Sequence, residues 1–124
     1  MKLFTIDEAN ALLPMVKGLL LLIRKHYSVI ESFKPSLPAA AKASLSGGGL
    51  PGGSSYVKAL LDAGRLVSEI SDLGVQLKDH STGLVDFPSM RDGRIVFLCW
   101  KLGEPDRIEW WHEIEAGFVG RQPI

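Results

Sequence analysis

Apolar residues in the first third of the chain recur at alternating spacings of three and four positions. The positions that keep this spacing without a slip are Ile6, Ala9, Leu13, Val16, Leu20, Ile23, Tyr27 and Ile30. Such spacing is typical of a helix with a continuous apolar stripe. A second row, formed by Leu12, Leu19, His26 and Phe33, widens the stripe. The pattern predicts a helix within residues 1–33 that packs against two neighbours.

Two local signals modify this first helix. Thr5 and Glu8 stand three positions apart, as the hydroxyl and the carboxylate of a capping box do, so the helix is expected to begin there. Pro14 has no N–H to donate, and its ring crowds the carbonyl of Asn10. We therefore expect a helix that is kinked or broken near Leu13.

The next segment, residues 34–53, is rich in glycine, proline and alanine and is expected to be a flexible connector. Residues 54–73 then return to three-four apolar spacing, at Tyr56, Leu60, Ala63, Val67 and Ile70. This pattern predicts a second helix that runs antiparallel to the first. Gly74 is placed to end it in the left-handed conformation.

After Gly74 the pattern becomes that of strands. Residues 75–78 alternate apolar and polar side chains, and a second run, 83–87, ends at Pro88. Residues 95–100 are apolar throughout, which indicates a central strand covered on both faces. Residues 108–113 are expected to form the last strand.

These elements predict an α+β fold, with an N-terminal antiparallel helical hairpin packed on a small C-terminal antiparallel β-meander of about four strands. At 124 residues the chain has the length of a single domain. Its expected divisions are the first helix region (1–33), the connector (34–53), the second helix (54–73) and the meander with its tail (74–124).

Composition removes several classes of function. Lys plus Arg and Asp plus Glu number 14 each, so the chain has no basic excess and nucleic-acid binding is not expected. The apolar stretch from Leu12 to Ile23 is interrupted and shorter than the roughly 20 residues of a membrane span. The single cysteine excludes an internal disulfide framework. A cytoplasmic protein without membrane attachment is expected.

Cys99 and His112, with Asp86 or Glu113 as a third ligand, have the side-chain types of a metal site. Pairing Trp100 with Ile108 across the last connection would place Cys99 opposite Glu109 and point His112 to the other face of the sheet. A one-residue change of register would reverse that arrangement. Because no CxxC, HxxxH or HExxH spacing occurs either, no metal and no cofactor are expected, and Cys99 is predicted to be a buried thiol with a raised pKa.

Polar residues of the meander form the remaining candidate site: Asp86, Glu104, His112, Glu113 and Arg121. Carboxylates beside an imidazole are the groups that general acid–base chemistry uses. The same residues can also form a structural network in which Arg121 pairs with Asp86 or Glu113 and holds the tail. The sequence favours the structural network.

Surface contacts are the last class of prediction. Trp100 and Trp111 are candidates for a binding surface, because neighbouring tryptophans in the strands point to alternate faces. The long apolar stripe of the first helix is expected to exceed what the second helix and a small sheet can cover. We therefore predict a homodimer with Leu19, Leu20, Ile23 and Tyr27 near the contact.

Several motifs, in order along the chain, resemble one family. They are residues 5–14 (TIDEANALLP), 74–79 (GVQLKD), 83–88 (GLVDFP), 98–104 (LCWKLGE), 111–113 (WHE) and 117–123 (GFVGRQP). The chain resembles the bacterial family called domain of unknown function 2203 over nearly its whole length. Gln76 stands where similar proteins carry Glu, and the glycine-rich connector is atypical. The resemblance implies a bacterial cytosolic domain and supplies no activity.

Two functions remain from the sequence. The first is an uncharacterised small protein that acts through assembly or binding rather than catalysis. The second is a small enzyme, or a protein that binds a ligand or metal, with its polar site on the C-terminal sheet.

Overall fold

The computed structural model describes residues 1–45 and 47–124. Helices come first: α1 (Ile6–Phe33), a short 3₁₀ turn (Lys34–Ser36), α2 (Leu37–Ser44) and α3 (Gly53–Asp72). The strands are β1 (Gln76–Asp79), β2 (Leu84–Arg91), β3 (Arg94–Lys101), β4 (Trp110–His112) and β5 (Gln122–Pro123). The strands form one antiparallel sheet in chain order, β1-β2-β3-β4-β5. The predicted α+β class is confirmed, with a two-residue fifth strand beyond the predicted four.

Helix α1 begins where the capping box predicts. The backbone N–H of Glu8 donates to the Thr5 hydroxyl, and the N–H of Thr5 donates to the Glu8 carboxylate. The predicted break at Pro14 is wrong, because α1 continues through it to Phe33. The fully buried residues Leu13 and Val16 lie on either side of the proline, and their burial offsets the lost hydrogen bond.

Helices α1 and α3 pack antiparallel. Ile30, near the end of α1, contacts Ala59 and Ala63 near the start of α3. At the other end of the pair, Leu19 of α1 and Leu73, directly after α3, line the same pocket. Residues 34–44, within the predicted flexible connector, are largely helical, although none of their side chains is buried.

One face of the sheet forms the core with the helices. Its apolar side chains are Val85, Phe87, Val96, Leu98, Trp100 and Trp111, which pack against α1 and α3. Strand β2 runs through Pro88, where a strand end was predicted. Strand β1 does not reach Pro88, so the missing N–H breaks no pairing with β1.

The stripe of α1 is covered within the single chain. Leu20 and Ile23 are fully buried, and Leu19 and Tyr27 pack at the edge of the same core. Leu20 and Ile23 therefore have no free surface for the dimer contact in which they were placed. The homodimer itself stays a prediction. No helix among the described residues is long and apolar enough to cross a membrane.

Candidate metal centre

Three neighbouring strands each place one polar side chain on the sheet face that points away from the helices. Asp86 of β2 pairs with Cys99 of β3, and Cys99 pairs with Trp110 of β4. His112 lies two positions after Trp110, so its side chain is on the same face. Asp86, Cys99 and His112 are all buried, with 3%, 1% and 3% of their surfaces exposed. We call these three residues the polar triad.

The predicted register of the last connection is wrong by one residue. Cys99 lies opposite Trp110 rather than Glu109, so Cys99 and His112 share a face instead of occupying opposite ones. The reason lies in Ile108, which is buried and whose N–H donates to the Asn10 side chain on α1 at 2.6 Å. This anchor removes Ile108 from the sheet, and pairing begins two residues later.

The two nitrogens of His112 have different partners. Nδ1 is 2.7 Å from the backbone carbonyl of Glu113, and Nε2 is 3.0 Å from Oδ1 of Asp86. A carbonyl oxygen only accepts, so Nδ1 carries the proton that it donates. In the neutral ring, Nε2 then holds a lone pair directed at Asp86. A histidine fixed by a carbonyl in this way is typical of metal sites.

Cys99 completes the triad as a protonated thiol. Burial, with a smaller contribution from the nearby Asp86 carboxylate, raises its pKa to about 12, while Arg121 acts in the opposite direction. The prediction of a buried thiol with a raised pKa is therefore confirmed. A bound metal ion would change this state, because a coordinating thiol loses its proton.

The triad has dimensions that suit a metal ion. One ligand atom from each residue lies within 4.8 Å of the other two. Tetrahedral zinc, with bonds of about 2.0–2.3 Å, holds its ligand atoms about 3.3–3.5 Å apart. Side-chain shifts of about 1 Å would bring the ligand atoms to these separations: Nε2 of His112 and Oδ1 of Asp86, now 3.0 Å apart, would move slightly apart, and the Cys99 sulfur would adjust to both. Carboxylate, thiolate and imidazole are all zinc ligands.

Arg121 and Glu104 lie beside the triad as a separate ion pair, with Nη1 of Arg121 2.7 Å from Oε2 of Glu104. The predicted partners of Arg121 were Asp86 or Glu113, so its pairing with a carboxylate is confirmed but the partner differs. The guanidinium also lies 4.1 Å from the ring centre of Phe118 and 4.9 Å from that of Trp110. These contacts hold the tail against this face of the sheet.

Glu113 does not join the other candidate residues. Its carboxylate pairs with Arg94, and this guanidinium lowers the pKa of Glu113. The structure thus divides the predicted polar site into three parts. Asp86 and His112 meet in the triad, Glu104 and Arg121 form the adjacent pair, and Glu113 lies apart.

A small pocket of about 210 Å³ opens onto the triad. Asp86 and His112 line it, together with Lys78, Leu84, Phe97, Ile114 and Phe118. Sequence reasoning did not identify Lys78 or Phe118 as site residues. These two side chains reach the pocket because of the pairing of β1 with β2 and the turn at Gly117. No local sequence motif predicts either feature.

The two tryptophans predicted for a binding surface lie in the interior. Trp100 is 1% exposed and donates from Nε1 to the carbonyl of Pro105 at 2.8 Å, and Trp111 is 6% exposed. Both pack the helix-facing core rather than present a surface. Arg91 lies over the Trp111 ring at 4.5 Å from its centre.

Comparison with known proteins adds a family and no activity. The family model described as "Uncharacterized conserved protein (DUF2203)" matches residues 2–124. Searches of curated proteins and of solved structures each gave no significant match.

Proposed function

The chain belongs to the DUF2203 family, and we propose that it is a binding protein whose polar triad holds one divalent transition-metal ion, with zinc the best fit. Asp86, Cys99 and His112 are the proposed ligands. The chain acts in this proposal through binding rather than catalysis. The fourth position of the ion would face the pocket that Asp86 and His112 line.

One observation carries the proposal: two acceptors face each other in a buried site. The Nε2 lone pair of His112 and the carboxylate of Asp86 are 3.0 Å apart, and the carbonyl of Glu113 occupies the other ring nitrogen. A positive group between the two acceptors is required, either a proton or a metal ion. The Cys99 sulfur, close to both, supplies the third ligand of a metal but is not needed to hold a proton.

Charge also favours a divalent ion. An ionised Asp86 and a metal-bound thiolate at Cys99 contribute two negative charges, and the neutral His112 adds none. A divalent cation brings the buried triad to zero net charge, whereas an isolated buried charge is costly. The adjacent Arg121 is already paired with Glu104, so its positive charge is offset.

A catalytic cysteine is the less favourable interpretation of the same residues. A nucleophilic thiol needs a lowered pKa and access to substrate. Cys99 has a pKa raised to about 12 and is 1% exposed. Coordination of a metal uses the residue without requiring access by a substrate.

Equilibrium dialysis against zinc tests the proposal, with bound metal measured per chain. We expect one zinc ion per chain in the wild type and in His26→Ala, a matched control in which a histidine of α1 is removed. Loss of the bound ion is expected in His112→Gln and in Cys99→Ser. Absence of zinc from the wild type, or retention of a full equivalent in both triad variants, would contradict the proposal.

A thermal melt of each variant with and without zinc separates loss of metal from loss of fold. A ligand that binds only the folded state stabilises it by about 2.7 kcal/mol at one hundred times its dissociation constant. The wild-type Tm should therefore rise with zinc, while the Tm values of His112→Gln and Cys99→Ser should not. Because each protein is compared with itself, a destabilised variant remains informative.

A further inference from the structure

The pocket over the triad combines apolar walls with unpaired positive charge. Leu84, Phe97, Ile114 and Phe118 provide the apolar lining. Lys78, which also lines the pocket, lies with Nζ 5.1 Å from the centre of the Phe97 ring. Just outside it, Nζ of Lys101 lies 4.9 Å from the centre of the Phe118 ring. Within the described part of the chain, neither lysine forms a salt bridge.

We infer that this pocket binds the carboxylate group of a small molecule, with one carboxylate oxygen on the metal and Lys78 as the second recognition group. The inference rests on the proposed metal site. With the metal in place the triad has no net charge, so the two lysines are left to attract an anion. Without it, the Asp86 carboxylate lies at the pocket wall and repels one.

The dimensions and the donors of the pocket set the class of ligand. A volume of about 210 Å³ is below the roughly 300–1,000 Å³ of sites for drug-sized molecules, so the ligand has only a few carbon atoms. The apolar walls suit a short hydrocarbon body. Phosphate has more oxygens to satisfy than the metal and one lysine can serve, whereas a carboxylate has two.

Titration of the zinc-loaded protein with butanoate, followed by the amide NMR shifts of Gly117 and Phe118, tests this inference. Saturable binding is expected with zinc and none without it. Lys78→Met should weaken butanoate binding at least tenfold and leave zinc affinity unchanged, because a charge-assisted hydrogen bond is lost. The matched control Lys25→Met, on the solvent side of α1, should behave as the wild type. Butanol and inorganic phosphate should both bind at least tenfold more weakly than butanoate.

Each other outcome overturns an identifiable step. If zinc binds but butanoate does not, the carboxylate pocket is wrong and the metal site stands. If butanoate binds Lys78→Met as tightly as the wild type, the role of Lys78 in recognition is wrong. If phosphate binds the wild type as tightly as butanoate does, the assignment of the ligand to carboxylates is wrong. If zinc does not bind at all, the proposed function fails and this inference fails with it.

Discussion

The two faces of the sheet are both buried, yet they differ in what they bury. The helix-facing side carries large apolar residues, among them Phe87, Leu98 and Trp100, that pack on α1 and α3. The opposite side buries Asp86 and His112 beneath a tail that includes Phe118 and Arg121. Because burial of apolar surface stabilises a fold, the helix-facing side is a source of the protein's stability.

Stability does not explain the second face in the same way. Burying a carboxylate and an imidazole costs desolvation energy, and apolar residues of similar volume often serve the fold equally well or better. The helix side holds the molecule together, and the polar burial on the triad side supports the proposal that this side binds a metal ion. Changes on the two faces should therefore have different consequences.

The largest effect is expected from the helix side. Trp100→Ala removes a side chain that is 1% exposed and should lower the free energy of unfolding by about 3–5 kcal/mol. Urea unfolding would measure the loss. Leu61→Ala, at a position 69% exposed on α3, is the control and should change stability by no more than about 0.5 kcal/mol. Equal effects at the two positions would contradict the account of the core.

Loss of the tail contact should have an intermediate effect. Deleting residues 120–124 removes β5 together with Arg121 and leaves the partly buried Glu104 without its ion-pair partner. We expect a loss of about 2–3 kcal/mol, below the cost of breaking a fully buried pair. Thermal unfolding of the truncated chain beside Gln122→Ala, an exposed neighbour, would measure it. A truncated protein that melts with the wild type would show that the pair does not hold the tail.

A smaller effect of opposite sign is expected when the triad is made apolar. The double variant Asp86→Leu, His112→Leu should be as stable as the metal-free wild type or more stable by about 1 kcal/mol, since replacing a buried polar pair by apolar residues of similar volume is often neutral or stabilising. It should also lose all response to zinc. A large loss of stability would instead show that the triad serves the fold.

Chemical labelling probes the triad without changing its stability. Cys99 is 1% exposed, so a thiol reagent should modify the native protein far more slowly than the urea-unfolded protein. Mass spectrometry of timed samples would record the modification. Rapid modification of the native chain would mean that the triad side is open to solvent.

Local signals predicted most of the fold. The three-four spacing from Ile6 to Ile30 and the Thr5–Glu8 cap gave α1, and the continuous apolar run at 95–100 gave the central strand. The break predicted at Pro14 is wrong, because the packing that outweighs one lost hydrogen bond is tertiary and leaves no local signal. The helical turns at 34–44 were not predicted for a different reason. None of their side chains is buried, so the sequence there shows no apolar periodicity.

The composition of the candidate site depends on strand register, which the sequence determines poorly. Asp86 and His112 were identified by residue type, but whether Cys99 joins them depends on strand register. That register follows from the contact between Ile108 and Asn10, residues far apart in sequence. The pairing of Arg121 with Glu104, rather than with Asp86 or Glu113, is likewise a result of tertiary geometry.

X-ray absorption at the zinc edge of the zinc-loaded protein tests the central claim most directly, because it reports the atoms bound to the metal. The account predicts one sulfur at about 2.3 Å and nitrogen or oxygen ligands at about 2.0–2.2 Å, with the sulfur contribution lost in Cys99→Ser. A zinc shell made only of nitrogen and oxygen in the wild type would contradict the assignment of Cys99, and with it the proposed metal centre.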